Sequence, residues 1–475
     1  MKKKNNNSLI ALALTVGALA GGLTFTALGQ QGPSGPGAPP QGMPPGPLPA
    51  MLQALGAPQA KLPDSPTAVT LPSFRKVTGP GAMFDSSPSQ WPGRDMQHYK
   101  YVANEYFVSG TSDGQPYTTR LVIRQPADNK KFSGLVVAES MHPVGGAHAF
   151  EYDSVYVMDS GHITVEIATV GAQQFAQFNP ERYKDIKVGA SQTNDMLAQI
   201  GALVRSSKGP LAGLPLRKMV LWGTSASSMI LVNYLPAHKV YRTPEMKNIY
   251  DGFMPTSNGT TIAPVDVPMI QVPTQHEYGN VATAAQDSDE PGKQLRVYEF
   301  AALGHLDARN NGKRFSQPDC VNPMTRFPLE AYMSVALHHL LQWVDKGIVP
   351  PRSERVLMDM YVDNDGSLMA LDQQGNAQGG IRNPYVDVPV TKYTARNTAT
   401  PAGLANPKGF MGPALLCTLS VWETPLSPQK LREIYGSKDA YVRKFEQRLN
   451  ELEKAGWSLP VYHDLILSDA KAVNF

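Results

Sequence analysis

From Met219 to Leu235 the chain passes from an apolar strand-like segment, through a tight turn, into an apolar helix-like segment. The strand part is Met219-Val220-Leu221-Trp222 and the turn is Gly223-Thr224-Ser225-Ala226-Ser227. The helical part is Met229-Ile230-Leu231-Val232-Asn233-Tyr234-Leu235. A wholly apolar strand followed at once by a helix is the unit from which parallel sheets covered by helices are built. Such a turn lifts the Ser225 hydroxyl above the sheet edge. The next backbone N–H, that of Ala226, points into the same space, and the positive end of the helix adds to it. Ser225 is therefore the candidate nucleophile and Ala226 a candidate oxyanion donor. Ser227 stands where such turns commonly carry glycine. It is small enough to keep strand and helix close, and it is a candidate pocket residue.

The same alternation recurs along the chain. Leu121–Ile123, Leu135–Ala138, Ile163–Ile167, Met269–Val272 and Leu295–Tyr298 read as strands. Met196, Leu197, Ile200 and Val204 recur at helical spacing between Gln192 and Arg205. The pattern predicts an α/β fold. A serine nucleophile needs a base, and the base needs a carboxylate to hold its tautomer. His305 lies in Ala302-Leu303-Gly304-His305-Leu306-Asp307, just after the strand that begins at Leu295, and is the candidate base. His338 and His339 fall in an apolar helical stretch and read as packing residues. The carboxylate is expected on the turn after Pro268–Thr274. Glu277 is the choice there, with Asp287, Asp289 and Glu290 as competitors and His276 beside it. A second oxyanion donor is expected from the loop Ser140-Met141-His142-Pro143-Val144-Gly145-Gly146, which makes Met141 the candidate and His142 a further pocket residue.

Lys2-Lys3-Lys4, the apolar stretch Leu9–Ala20 and the small residues up to Gly29 predict a secretory signal peptide over 1–29. The protein is then expected to be exported, periplasmic or secreted, with no stable membrane insertion after cleavage. Residues 30–72, dominated by Pro, Gly, Gln and Ala, read as a disordered linker. Residues 73–475 remain for one domain with an extension from about 355. The three leader lysines account for the whole formal charge of +3, so the basicity points to no nucleic-acid partner. Cys320 and Cys417 are the only cysteines. Outside the cytosol they can pair and tie the extension to the loop after His305. No zinc-type Cys/His spacing and no Gly-rich phosphate loop after a strand occurs, so neither a metal nor another cofactor is expected. Asp363-Asn364-Asp365-Gly366 has Tyr361 where a calcium loop needs an acid, and reads as a turn. Val442, Phe445, Leu449 and Leu452 predict a late helix that ends near Gly456.

With these residues on the page, the chain resembles the bacterial α/β-hydrolase-domain proteins whose nucleophile motif is Gly-x-Ser-x-Ser. The likeness extends from about Tyr99 to Asp469. It includes Tyr117–Val122, Arg124-Gln125-Pro126, Asn179-Pro180-Glu181-Arg182-Tyr183, Leu340–Pro351, Gly379–Pro389, and a tail with Ile434-Tyr435, Tyr441-Val442 and Phe445. The resemblance implies an α/β-hydrolase fold, a mostly parallel central sheet flanked by helices, and a serine–acid–histidine hydrolase. Ser225, Glu277 and His305 follow one another in the order of that fold. Thr274-Gln275-His276-Glu277 departs from the family's Thr-Glu-x-Asp at two positions, with Glu277 at the place of the Asp. The expected activity is cleavage of small-molecule or polymeric carboxylic esters through an acyl-enzyme. Amide or peptide cleavage by the same triad, and a non-catalytic binding protein on this scaffold, are the alternatives.

Overall fold

Val220 and Trp222 pack into one apolar cluster, while Met219 and Leu221 pack into another on the opposite side. Leu135 and Val137 divide from Val136 and Ala138 in the same way. Successive side chains of a strand point to opposite faces, so a strand covered on both sides reads as a continuous apolar run. The computed structural model in which these contacts occur describes residues 55–278, 286–311, 319–359, 368–404 and 413–475. The expected signal peptide and the turn at Asp363–Gly366 lie outside the described residues.

In chain order the strands are β1 (Thr67–Ala68), β2 (Ser73–Lys76), β3 (Tyr101–Ser112), β4 (Gln115–Pro126), β5 (Leu135–Ser140), β6 (Ile163–Ile167) and β7 (Lys218–Thr224). Then come β8 (Tyr241–Arg242), β9 (Gly252–Thr256), β10 (Met269–Gln271), β11 (Leu295–Val297), β12 (Thr391–Thr394) and β13 (Trp422–Pro425). Nine of them form one sheet in the order β11-β10-β9-β7-β5-β6-β4-β3-β2. From β6 to β11 every pairing in this order is parallel, whereas β4, β3 and β2 add on in antiparallel fashion. β3 and β4 form a hairpin whose two-residue turn is Asp113-Gly114, both at positive φ, the backbone that suits a tight hairpin.

The helices Thr193–Arg205 and Ala226–His238 cover one face. The helix Leu329–Lys346 covers the other, together with the extension through Tyr385, Tyr393, Phe445, Leu449 and Ile466. The late helix runs Lys438–Lys454 and buries Tyr441, Phe445, Leu449 and Leu452. Its inward stripe thus begins at Tyr441, and Val442 is only partly buried beside the core.

Two expectations need correction. β9 has no counterpart among the predicted strands, although it lies between β7 and β10 in the middle of the sheet. Its sequence Gly-Phe-Met-Pro-Thr carries Gly252 and Pro255, which ordinarily argue against a central strand. Gly252 is needed because a Cβ there would meet Val344 Cγ1 at 2.8 Å. Pro255 lacks an N–H but still accepts from Val272 N. Residues 55–72, counted with the linker, lie against the domain. Leu55 is buried, Ala60 N donates to Ser191 O, and β1 pairs with β8.

Candidate active site

The turn after β7 places Ser225 at φ 56°, ψ −124°, directly before the helix Ala226–His238. A non-glycine residue is rarely held in such a backbone conformation, and its persistence requires surrounding structure that enforces it. Gly223 and Ser227 supply that structure. A Cβ on Gly223 would lie 2.4 Å from Ser227 O, so only glycine lets strand and helix approach this closely. Ser227 Oγ accepts from Thr224 N and donates to Thr224 O, both within 3 Å. Ser227 is thus a buried clasp inside the turn, which corrects its reading as a pocket residue and explains a serine at the motif's last position. Ser225 N donates to Thr256 O at the end of β9.

The carboxylate side is built by the turn after β10. Gln275–Glu277 form a short 3-10 helix in which Thr274 and Glu277 make a capping box. Glu277 Oε2 accepts from Thr274 N at 2.8 Å and Thr274 Oγ1 at 2.9 Å. Its other oxygen, Oε1, faces His305 Nδ1 at 3.9 Å and His276 Nε2 at 3.6 Å. Gly259 makes room, since a Cβ there would meet Glu277 Cβ at 2.9 Å. His305 lies on the loop after β11, which is joined to the acid turn by a hydrogen bond from Gln275 N to Leu303 O. Its Nδ1 is buried without a hydrogen-bond partner among the described residues. Burial pushes the Glu277 carboxyl up to about 7 and the His305 imidazole down to about 4. Burial, with neighbouring His305 and Arg396, holds His276 well below the usual histidine range.

The structure therefore brings Glu277 and His305 together and sets Ser225 at the end of a nearby parallel strand. The competing acids are engaged elsewhere. Asp287 accepts from Val297 N, Asp289 pairs with Arg296 and Arg352, and Glu290 pairs with Lys293. His338 and His339 lie on the helix Leu329–Lys346 against Tyr156 and Tyr298.

The expected second oxyanion donor is corrected. Met141 N donates to Ile167 O at 2.8 Å, continuing the β5–β6 ladder, so this N–H is already engaged. His142 N donates to Gly146 O, and the His142 ring packs 4.5 Å from that of His148. Thr274, Gly259 and Thr256 also shape the site, though none was a candidate site residue. Of these, Thr274 was legible as the first residue of a Thr-x-x-Glu capping box.

The extension supports the histidine loop. Ala301 N donates to Ile381 O, Ile381 N donates to Glu299 O, and Asn383 Nδ2 donates to Ala301 O. Cys320 and Cys417 are joined by a disulfide, with Cα atoms 5.6 Å apart.

Among solved structures, the chain is similar to a cold-adapted esterase from an Arctic intertidal metagenomic library. Identity is 16%, over 44% of this chain and 89% of that one, with a TM-score of 0.26. It is also similar to a poly(3-hydroxybutyrate) depolymerase from Bordetella parapertussis, at 11% identity over 54% of this chain and 93% of that one, with a TM-score of 0.30. No curated protein matches. The family model described as the alpha/beta hydrolase domain matches residues 69–468, and with the sheet order and the strand–serine–helix turn in agreement, the chain belongs to that family.

Proposed function

We propose that the protein is an exported serine hydrolase of carboxylic esters. Ser225 Oγ attacks the acyl carbon while His305 Nε2 takes its proton. His305 then returns that proton to the departing alcohol, and water releases the acid from the acyl-enzyme. Glu277 Oε1 orients the His305 ring and stabilises its charged form. Ala226 N–H, at the positive end of the helix, faces the developing oxyanion. The observation that carries this reading is the Ser225 backbone at φ 56°, held between Gly223 and the Ser227 clasp.

A short-chain aryl ester assayed with wild type and Ser225→Ala tests the proposal. Wild type is expected to turn over and the variant to fall by roughly 10⁴-fold or more. An inactive wild type overturns it. Matched ester and anilide substrates separate esterase from amidase. Export is supported by the leader pattern and by the Cys320–Cys417 disulfide, a bond that persists in oxidising compartments. The mature protein is expected to begin near residue 30, and a mature N-terminus at Met1 would contradict export by cleavage.

A further inference from the structure

The turn that carries Glu277 gathers more than a triad needs. His276, Glu277 and His305 each offer one ligand atom, and these atoms all lie within 4.8 Å of one another. Hydrogen bonding fixes which atoms face inward. Thr274 Oγ1 donates to Glu277 Oε2, so toward His276 Nδ1, 3.2 Å away, it acts as acceptor. His276 therefore carries its proton on Nδ1 and presents a bare Nε2 lone pair. That lone pair faces Glu277 Oε1 at 3.6 Å, and His305 Nδ1 lies 3.9 Å from the same oxygen. With Glu277 ionised, these are two acceptors aimed at each other, a contact that a proton or a metal cation between them would relieve. His305 is only 6% exposed and its Nδ1 has no hydrogen-bond partner among the described residues.

We propose that His276 Nε2, Glu277 Oε1 and His305 Nδ1 form a site for one zinc ion, and that zinc bound there switches the hydrolase off. Two imidazoles and a carboxylate with an open fourth position are a ligand set that zinc takes. Tetrahedral zinc with bonds of about 2.0–2.1 Å needs ligand atoms roughly 3.3 Å apart, so small side-chain rotations complete the geometry. Thr274 already serves as the outer shell, holding both the His276 ring and the Glu277 carboxylate. The inhibition follows from imidazole chemistry and rests on the triad reading above. Zinc on Nδ1 of a neutral His305 leaves the ring's one proton on Nε2. The lone pair that would accept the Ser225 proton is then gone, and the carboxylate that orients the ring is a metal ligand. The ligands come from two separate loops, so no local Cys/His spacing announced them.

Binding is measured first on Ser225→Ala, where hydrolysis plays no part, by titration with Zn2+ and by the visible absorption of Co2+ as a stand-in. The expected result is one equivalent bound, with the spectrum of four-coordinate Co2+. Affinity should fall at least tenfold when His276→Gln is added and stay unchanged with His338→Gln. Absence of stoichiometric binding, or equal binding after His276→Gln in a protein with unchanged circular dichroism, overturns the site. In wild type, saturating Zn2+ should block fluorophosphonate labelling of Ser225, and a chelator should restore it. Equal labelling with the site filled overturns the switch. A wild type that stays unlabelled without metal overturns the hydrolase reading and the switch with it, while the binding result on Ser225→Ala still decides the site.

Discussion

Glu277 is held by its own turn before it meets a histidine. Thr274 supplies two hydrogen bonds to one carboxylate oxygen, and that leaves the other to face His305. Burial raises this carboxyl to about 7, against the Thr274 hydrogen bonds that lower it, while burial keeps His305 neutral down to about 4. Near neutrality the imidazole is thus already in its basic form and the carboxylate is the group that titrates. On the proposed mechanism the ionised carboxylate is the active form, so kcat/KM is expected to rise with pH through about 7. Glu277→Gln should remove that limb and lower kcat/KM by roughly 10²–10⁴-fold. A pH profile of the variant that keeps the wild-type limb would assign it to another group. Glu277 could be chosen from the sequence because it follows a strand by a short turn. Its competitors could be set aside only in three dimensions, because their partners Val297, Arg296, Arg352 and Lys293 carry no mark in the sequence.

At the scale of elements, the strand–turn–helix unit depends on contact between backbones. Gly223→Ala would push a methyl group into Ser227 O, and the helix could accommodate it only by moving away from β7. A displacement of about 1 Å at a nucleophile costs on the order of 10²-fold in rate. The variant is expected to fold, to show that loss in kcat with a smaller change in KM, and to label slowly with a fluorophosphonate. Wild-type kinetics would contradict the role given to the glycine. The turn was legible because it combines an apolar strand, small residues and an apolar helix in one stretch. β9 was not, because Gly252 and Pro255 serve its neighbours: Gly252 admits Val344, and Pro255 faces Gly223 across the sheet. The stretches Asn179–Tyr183 and Gly379–Pro389, which resemble the family's, were recognisable as patterns, yet their roles depend on distant partners. Arg182 and Tyr183 bind Glu105, while Ile381 and Asn383 brace the loop that carries His305.

Across the whole molecule, two groups of buried charges behave in opposite ways. Arg120 is fully buried and bonds both Glu105 and Glu166, with Arg124 and Arg182 completing the set. Arg120→Met would leave carboxylates buried with fewer partners, at a cost of roughly 3–5 kcal/mol. Chemical denaturation should show the loss, and a change within error would contradict it. Glu330 has no guanidinium partner among the described residues, and its Oε2 has no hydrogen-bond partner among them. Burial raises its carboxyl to about 7, although Ser154, Val155 and Tyr462 donate to Oε1. Between the ordinary carboxylate range and about 7, the folded protein keeps this proton while the unfolded chain has lost it. Raising the pH therefore favours unfolding. Glu330→Gln should lack this contribution, so its stability relative to wild type should increase from about pH 5 to about pH 7 and level off above. A constant difference across that window would contradict it. The central claim remains the identity of the nucleophile, and labelling with a fluorophosphonate followed by peptide mass mapping tests it most directly. The account predicts a single adduct on Ser225 that disappears in Ser225→Ala. An unlabelled wild type, or an adduct on a different serine, would contradict it.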